Sequence, residues 1–189
     1  DSAAASHDVA QECETSDGVV YVPALMGLGT PYWDYGARGT LLGLTRGSGR
    51  AHITRAVLEG VAHRGADLVA AAEASHKDGE NGSSHSIPVL RIDGGMSQNP
   101  TFVQALANAS GKPVEVSRHT EATTIGAGYL AGLAVGVWGS FDDIAQAWEP
   151  ERAVDPDTNT VKRSLDRAQW SEAVKRSRGW IPDLSALDF

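Results

Sequence analysis

The residues best suited to contact a ligand are two adjacent glycines, Gly94 and Gly95. They follow an apolar run, 87–92, and precede a helical pattern, so the sequence predicts a strand, a turn and a helix in succession. A glycine lets the backbone approach a ligand where a Cβ would clash, and in open α/β sheets ligands bind at the carboxyl ends of strands. Two interpretations stay open: a ligand-binding turn, or a sharp turn that is capped by Asn99 and binds nothing.

The helix after this turn has clear signals at both ends. Asn99 suits the N-cap and Pro100 the first helical position. Phe102 and Leu106 share one helical face, and Gly111 ends the pattern. We therefore predict a helix over 99–110.

Two other glycine motifs do not support phosphate chemistry. The segment 110–113 is not a phosphate-binding loop, because Leu106 stands where a glycine is required and Pro113 replaces the Ser or Thr. The segment 126–131 formally fits a dinucleotide fingerprint, but no strand directly precedes it and glycines continue at 132 and 136. Close packing of a helix against a neighbour is the favoured interpretation.

The sequence shows neither a metal site nor a nucleophile. No Cys or His pair has zinc spacing, and Cys13 lies in a polar segment without an activating base. The aromatic segment 31–34 could line a ligand cleft, but we expect Trp33 to cover the core instead. We predict no catalytic residue in this chain.

Composition excludes several classes of protein. The 189 residues contain 24 acidic and 16 basic side chains, a net charge of −8. Such a balance argues against general nucleic-acid binding or binding to anionic membranes. One cysteine cannot form an internal disulfide, and no apolar run is long enough to span a membrane. The sequence predicts a cytoplasmic protein that has no nucleic-acid partner and no membrane span.

Short apolar strands alternate with helices, which predicts an α/β domain. Predicted strands cover 19–23, 40–44, 87–92 and 114–116, and predicted helices cover 52–74, 99–110, 123–137, 140–148 and 158–178. Residues 1–18 are expected to form a polar lead-in that is mobile or truncated, and residues 19–180 the domain. Within the domain, 149–157 is expected to be a linker, and 181–189 is expected to form a tail. The expected core faces are Ile53, Val57, Val61 and Leu68 on the first long helix, and Val161, Leu165 and Ala168 on the last.

Four blocks of this chain, in order and suitably spaced, resemble the C-terminal domain of the FGGY carbohydrate kinases, and among them the glycerol kinases. The blocks are 27–47, 52–59, 91–95 and 126–136. The motif Gly39-x-Leu41-x-Gly43-Leu44, followed after seven residues by His52-Ile53-x-x-Ala56-Val57-Leu58-Glu59, matches a family signature. The resemblance extends over about residues 19–180.

The resemblance implies a partial actin-like, ribonuclease-H-like α/β fold, with a mixed sheet flanked by helices. It also implies ATP or ADP with Mg²⁺ as cofactor. By matching position, Gly94 and Gly95 lie against the nucleotide, with Gly95 at its sugar–phosphate portion, and Asn99 lies near the base.

The family's catalytic Asp, its phosphate loops and its glycerol-binding residues all match positions upstream of this chain. We therefore expect a C-terminal portion of a longer kinase, whose partner is the missing N-terminal part and whose substrate is glycerol or a similar polyol. We expect no turnover by the chain alone, and the family implies possible homo-oligomers. Two alternatives stay open: another FGGY sugar kinase of the xylulose or pentulose type, and a non-catalytic nucleotide-binding module.

Overall fold

The computed structural model describes residues 3–75 and 86–186. The helices are α1 (Ser6–Gln11), α2 (Arg50–Ser75), α3 (Pro100–Ser110), α4 (Ala122–Ala134), α5 (Phe141–Gln146), α6 (Thr160–Ser177) and α7 (Pro182–Ser185). The strands are β1 (Val20–Val22), β2 (Thr40–Leu42), β3 (Leu90–Ile92), β4 (Val114–Ser117) and β5 (Pro150–Val154). Short 3₁₀ helices cover Ala3–Ala5 and Gly95–Gln98.

The described strands form two small sheets. β1 and β2 pair antiparallel, with Val20 opposite Leu42. The second sheet has the order β3-β4-β5, in which β3 and β4 are parallel and β5 is antiparallel to β4. Helix α3 connects the two parallel strands, as such a pair requires. The predicted α/β fold with a mixed sheet flanked by helices is confirmed.

Helix α2 lies against both halves of the domain. It packs on β1 at Gly60, where an added Cβ would lie 2.1 Å from the backbone oxygen of Tyr21. Only glycine permits this approach of helix to strand. On another face α2 contacts α3, where a Cβ on Gly65 would lie 3.0 Å from a methyl carbon of Leu106. This helix therefore links the β1–β2 sheet to the part of the chain that carries the glycine turn.

Two apolar clusters form the core. One joins α1, α2, α3 and β4, and its buried members are Ala10, Leu58, Ala62, Phe102, Val103, Leu106, Ala107, Val114 and Val116. The other joins β1, the following loop and α6, and its buried members are Val22, Ala24, Leu28, Ala37, Trp170, Ala173 and Val174. Burial of this apolar surface supplies the main favourable free energy of folding.

The predicted core face of α6 is wrong. Val161 and Leu165 are 70% and 66% exposed, whereas Trp170 and Val174 are each only 1% exposed. Only the C-terminal half of α6 reaches the second cluster, and helical periodicity cannot show which half of a helix is covered. The predicted face of α2 also needs correction: Leu68 is 47% exposed, and the buried positions are mostly small residues.

The predicted linker 149–157 is wrong over its first half, which forms β5. Its alternation of half-buried and exposed residues is that of an edge strand. A proline and two charged side chains weaken the strand signal in its five residues, so the pairing with β4 rather than local propensity determines this strand.

The predicted lead-in contains a packed helix, α1. Ala10 is fully buried, and the Arg55 guanidinium donates hydrogen bonds to the backbone oxygens of Ala10 (3.1 Å) and Cys13 (2.9 Å). The described part of this segment is therefore not a mobile lead-in. Its polar composition concealed this packing, because the buried residue of α1 is a single alanine and the other contacts are hydrogen bonds.

The predicted tail also packs on the domain as far as it is described. Ser185 donates a hydrogen bond of 2.6 Å to Asp34, which is 4% exposed and also accepts from the backbone N–H groups of Gly36 and Ala37. Trp33 beside it is 56% exposed, so the expectation that it covers the core is wrong. The buried anchor of this loop is the carboxylate, because the five groups that donate hydrogen bonds to it compensate for its desolvation.

The glycine-rich helix α4 does not pack closely on a neighbour in the described chain. None of its residues is buried, and a Cβ at Gly126 or Gly128 would meet no atom within 4 Å. The three atoms nearest to a Cβ at Gly132 belong to the side chains of Trp138 and Val137, which follow the same helix. The predicted close packing is therefore wrong for the described residues, and an apolar helix is left exposed.

Candidate functional site

The structure brings the three predicted nucleotide-binding residues together on one turn. Strand β3 ends at Ile92, the 3₁₀ helix Gly95–Gln98 follows, and α3 begins at Pro100. Gly94 has φ +82° and ψ 179°, a conformation that is essentially restricted to glycine. The turn that the sequence predicts thus contains regular structure, because Gly95 and the next three residues form a 3₁₀ helix that leads to Asn99.

Gly94 and Gly95 present bare backbone to open space. A Cβ built on either residue would meet nothing within 4 Å, and Gly95 is exposed. The fold therefore does not need glycine at position 95 for packing. The absence of side chains leaves a shelf at the carboxyl end of a parallel strand, which a ligand could occupy and an added side chain would fill.

Asn99 is the N-cap of α3, as predicted. Its side-chain oxygen accepts a hydrogen bond of 3.2 Å from the N–H of Phe102. Its amide nitrogen donates to the hydroxyl of Ser6, at 2.9 Å. Both ends of the side chain are thus held within the protein, and Asn99 forms a fixed, half-buried wall next to the glycine shelf.

Sequence reasoning missed the residues that support this turn. Ser97 is 1% exposed and donates through its hydroxyl to the backbone oxygen of Gly94, at 2.7 Å. Arg152 donates to the backbone oxygen of Ser97, at 2.6 Å. Asp93 accepts a hydrogen bond of 3.0 Å from the N–H of Ala122 at the start of α4. No local motif indicates these contacts, and Arg152 lies in the segment that the sequence predicts as a linker.

Two cavities of the described residues lie away from the glycine shelf. A cavity of about 390 Å³ opens between α2, α6 and residues 14–20, and another of about 340 Å³ lies beside α4. Neither is lined by the three residues of the glycine shelf. In the first, burial raises the pKa of Glu59 despite Arg55 at 3.7 Å. The glycine shelf is an open surface, suited to binding a ligand rather than to excluding water.

Within the ranges 3–75 and 86–186, no group of three or more His, Cys, Asp or Glu side chains could hold a metal ion. The helices of the same ranges include none with the length and apolar character of a membrane span.

Comparison with known proteins places the chain among kinases. Residues 1–135 match the model of the C-terminal domain of the FGGY family of carbohydrate kinases. The glycerol kinase of Deinococcus radiodurans is 46% identical over 178 residues, which cover 94% of this chain and 34% of the relative.

Two solved structures show the same fold. A crystal structure of Plasmodium falciparum glycerol kinase with ADP superimposes with a TM-score of 0.80 at 32% identity, over 93% of this chain and 34% of that one. A ligand-bound xylulose kinase from Lactobacillus acidophilus gives a TM-score of 0.74 at 26% identity, over 92% of this chain and 35% of that one.

The chain spans about a third of the length of these relatives. The family match covers residues 1–135 of the 189, and the described fold is the actin-like ATPase fold of these structural neighbours. The resemblance that the sequence motifs indicate is therefore confirmed. This chain belongs to the FGGY family of carbohydrate kinases.

Proposed function

We propose that this chain is the C-terminal, nucleotide-binding portion of an ATP-dependent glycerol kinase. ATP, when bound, supplies the γ-phosphoryl group that the intact enzyme transfers to a terminal hydroxyl of glycerol, giving glycerol 3-phosphate and ADP. The observation that carries the proposal is the similarity to proteins named glycerol kinase over nearly the whole chain.

The glycine shelf is the part of this chain that would contact the nucleotide. In this proposal Gly94 and Gly95 lie against the nucleotide, with Gly95 at its sugar–phosphate portion, and Asn99 borders the base. The open space at both glycines and the fixed position of Asn99 support these roles. We assign no Mg²⁺ ligand to this chain, because its described residues offer no cluster of acidic side chains for one.

The rest of the kinase is the partner that we propose for this chain. Phosphoryl transfer depends on the positioning and charge of groups on both sides of the reacting phosphate. Alignment of reactants alone can contribute about 7–11 kcal/mol, and an open shelf cannot provide it. We therefore propose that the chain has no turnover alone. We also propose that the glycerol-binding residues lie upstream, and that the intact enzyme is cytoplasmic and able to form homo-oligomers.

The exposed apolar surface of α4 supports this partner. Leu130 is 60% exposed and Val135, just beyond the helix, 77% exposed. Exposed apolar patches of this kind mark surfaces that another protein segment covers. The upstream part of the kinase would bury this surface in the intact enzyme.

A substrate panel tests the proposed activity. The intact kinase that contains this chain should phosphorylate glycerol with ATP, and the isolated chain should not. Phosphorylation of a pentulose with glycerol inert would instead identify another FGGY sugar kinase, the alternative that the xylulose kinase structure favours. Tight ADP binding by the isolated chain, combined with inactivity of the intact protein, would identify a non-catalytic nucleotide-binding module.

The substitution Gly95→Val tests the glycine shelf. A Cβ at this exposed position meets no protein atom within 4 Å, so we expect the stability to change by less than about 0.5 kcal/mol. The same side chain would occupy the space proposed for the nucleotide, so ADP binding by the intact kinase should become undetectable by calorimetry. Gly47→Val, at an exposed loop glycine, is the matched control and should bind ADP normally. Normal ADP binding by Gly95→Val would contradict the proposed site.

A further inference from the structure

We propose that Arg152 is a positioning residue for the nucleotide site, which keeps the turn from Gly94 to Asn99 in its binding conformation. Its side chain reaches from β5 to the backbone oxygen of Ser97, with an Nη2–O distance of 2.6 Å. The two residues are 55 positions apart in the sequence. The inference rests on the proposed function, because it assigns a role in nucleotide binding.

Ser97 is the connection between Arg152 and the glycine shelf. Its hydroxyl and its backbone N–H both donate to the backbone oxygen of Gly94, at 2.7 and 3.1 Å. These two hydrogen bonds determine the orientation of the peptide group that joins Gly94 to Gly95. Because Ser97 is 1% exposed and held through its own carbonyl by Arg152, a displacement of Ser97 would be transmitted to that peptide group.

Strand β5 attaches this contact to the sheet. Arg152 pairs with Val116 in the β4–β5 ladder, beside the point between Val116 and Ser117 where the register shifts, and Val116 is fully buried. β4 also pairs with β3, the strand that leads into the glycine turn. The guanidinium therefore connects the turn to a point on the same sheet, two strands away.

The half-buried side chain of Arg152 destabilises the folded state, so the stability of the sheet does not explain why an arginine stands at this position. Its Nε is buried without a hydrogen-bond partner among the described residues, and such an unpaired donor destabilises the folded state. An apolar side chain would avoid that cost. The arginine contributes a charge-assisted hydrogen bond, which is stronger than one from a neutral donor.

Loss of this contact should affect nucleotide binding more than chemistry. Without Arg152 the turn can adopt other conformations, and ATP or ADP would have to order it on binding. If about a tenth of the molecules then hold the turn in its binding conformation, the Michaelis constant for ATP should rise about tenfold. By contrast, kcat and the Michaelis constant for glycerol should stay within about twofold. Arg152 bonds the backbone of the turn and has no assigned contact with the reacting atoms.

The experiment compares Arg152→Met, Arg152→Lys and Arg118→Met in the intact kinase that contains this chain. Arg118 is the control, an exposed arginine whose ion pair with Glu149 does not involve the turn. We expect Arg152→Met to raise the Michaelis constant for ATP and the dissociation constant of ADP. Arg152→Lys, which retains a charged donor, should recover part of the loss, and Arg118→Met should match the wild type.

An unchanged Michaelis constant for ATP in Arg152→Met, or equal losses in kcat and in both Michaelis constants, would overturn the inference. If Arg152→Met does not fold, the variant Ser97→Ala tests the inference instead. It removes the hydrogen bond from the Ser97 hydroxyl to the backbone oxygen of Gly94, so it should weaken ADP binding. Normal ADP binding by Ser97→Ala would refute the inference. Failure of the proposed function is distinguishable, because the wild-type kinase would then not phosphorylate glycerol, while ADP titration of the variants would still test Arg152.

Discussion

Replacement of Gly94 by alanine is the sharpest test of the conformation of the glycine turn. Gly94 has φ +82° and ψ 179°, whereas the φ of Gly95 lies outside the left-handed range. A Cβ at either position would meet no atom within 4 Å. Steric contacts are thus matched in the two variants, and only the backbone conformation differs.

The expected magnitude follows from that difference. An L-residue held in the region of Gly94 costs about 1–3 kcal/mol. A Gly→Ala change at a compatible position instead stabilises by about 0.4–1 kcal/mol, because it reduces the entropy of the unfolded chain. We therefore expect Gly94→Ala to destabilise the chain by about 2 kcal/mol and Gly95→Ala to leave the stability unchanged or slightly higher.

Urea denaturation of the two variants, followed by far-UV circular dichroism, measures this difference as a shift in the transition midpoint. Gly95→Ala is the matched control for the loss of a glycine in the same turn. Equal stabilities of the two variants, or a loss below about 0.5 kcal/mol in Gly94→Ala, would refute the strained conformation of the turn and weaken its interpretation as a preformed shelf.

Two further predictions concern the buried polar groups of α2. Burial, and then the charge of Arg167, lowers the pKa of His63 to about 4. Between about pH 6.5 and 4 the unfolded chain therefore binds a proton that the folded chain does not bind. The free energy of unfolding should fall by about 3 kcal/mol as the pH is lowered over that range. Urea denaturation as a function of pH should show this slope in the wild type and in the exposed control His119→Gln, and not in His63→Gln. Asp67 is 5% exposed and accepts hydrogen bonds from Tyr32, Trp170 and Arg167. Asp67→Asn should therefore destabilise the folded chain by about 3–5 kcal/mol in urea denaturation. The surface control Glu172→Gln should lose less than about 1 kcal/mol, and an equally small loss in Asp67→Asn would contradict the prediction.

Local sequence signals were sufficient where a structure depends on neighbouring residues. The cap at Asn99 and the left-handed glycine at position 111 confirm the predicted ends of α3. Ser140, the first residue of the predicted helix 140–148, caps α5 through the N–H of Asp143. Each of these contacts spans four residues or fewer. Propensity and hydrogen bonding within one turn therefore determine them before any tertiary packing is formed.

The errors arose where a distant partner decides the outcome. Helix α4 has a strongly apolar sequence, yet none of its residues is buried in the described chain. The prediction failed because periodicity identifies an apolar surface without showing what covers it. Trp170, which periodicity places poorly, is buried because its indole N–H reaches Asp67 at 2.8 Å and its ring stacks on His63.

The amino-acid order alone was enough to establish the family of this protein, the alternation of strands and helices, and the position of the glycine shelf between β3 and α3. These features depend on motifs and on contacts between near neighbours. Tertiary structure alone decided that β5 completes the sheet, that α1 and the residues after 180 pack on the domain, and that Arg152 supports Ser97. These contacts join residues 33 to 151 positions apart, and only strand register and helix packing bring such residues within hydrogen-bonding distance.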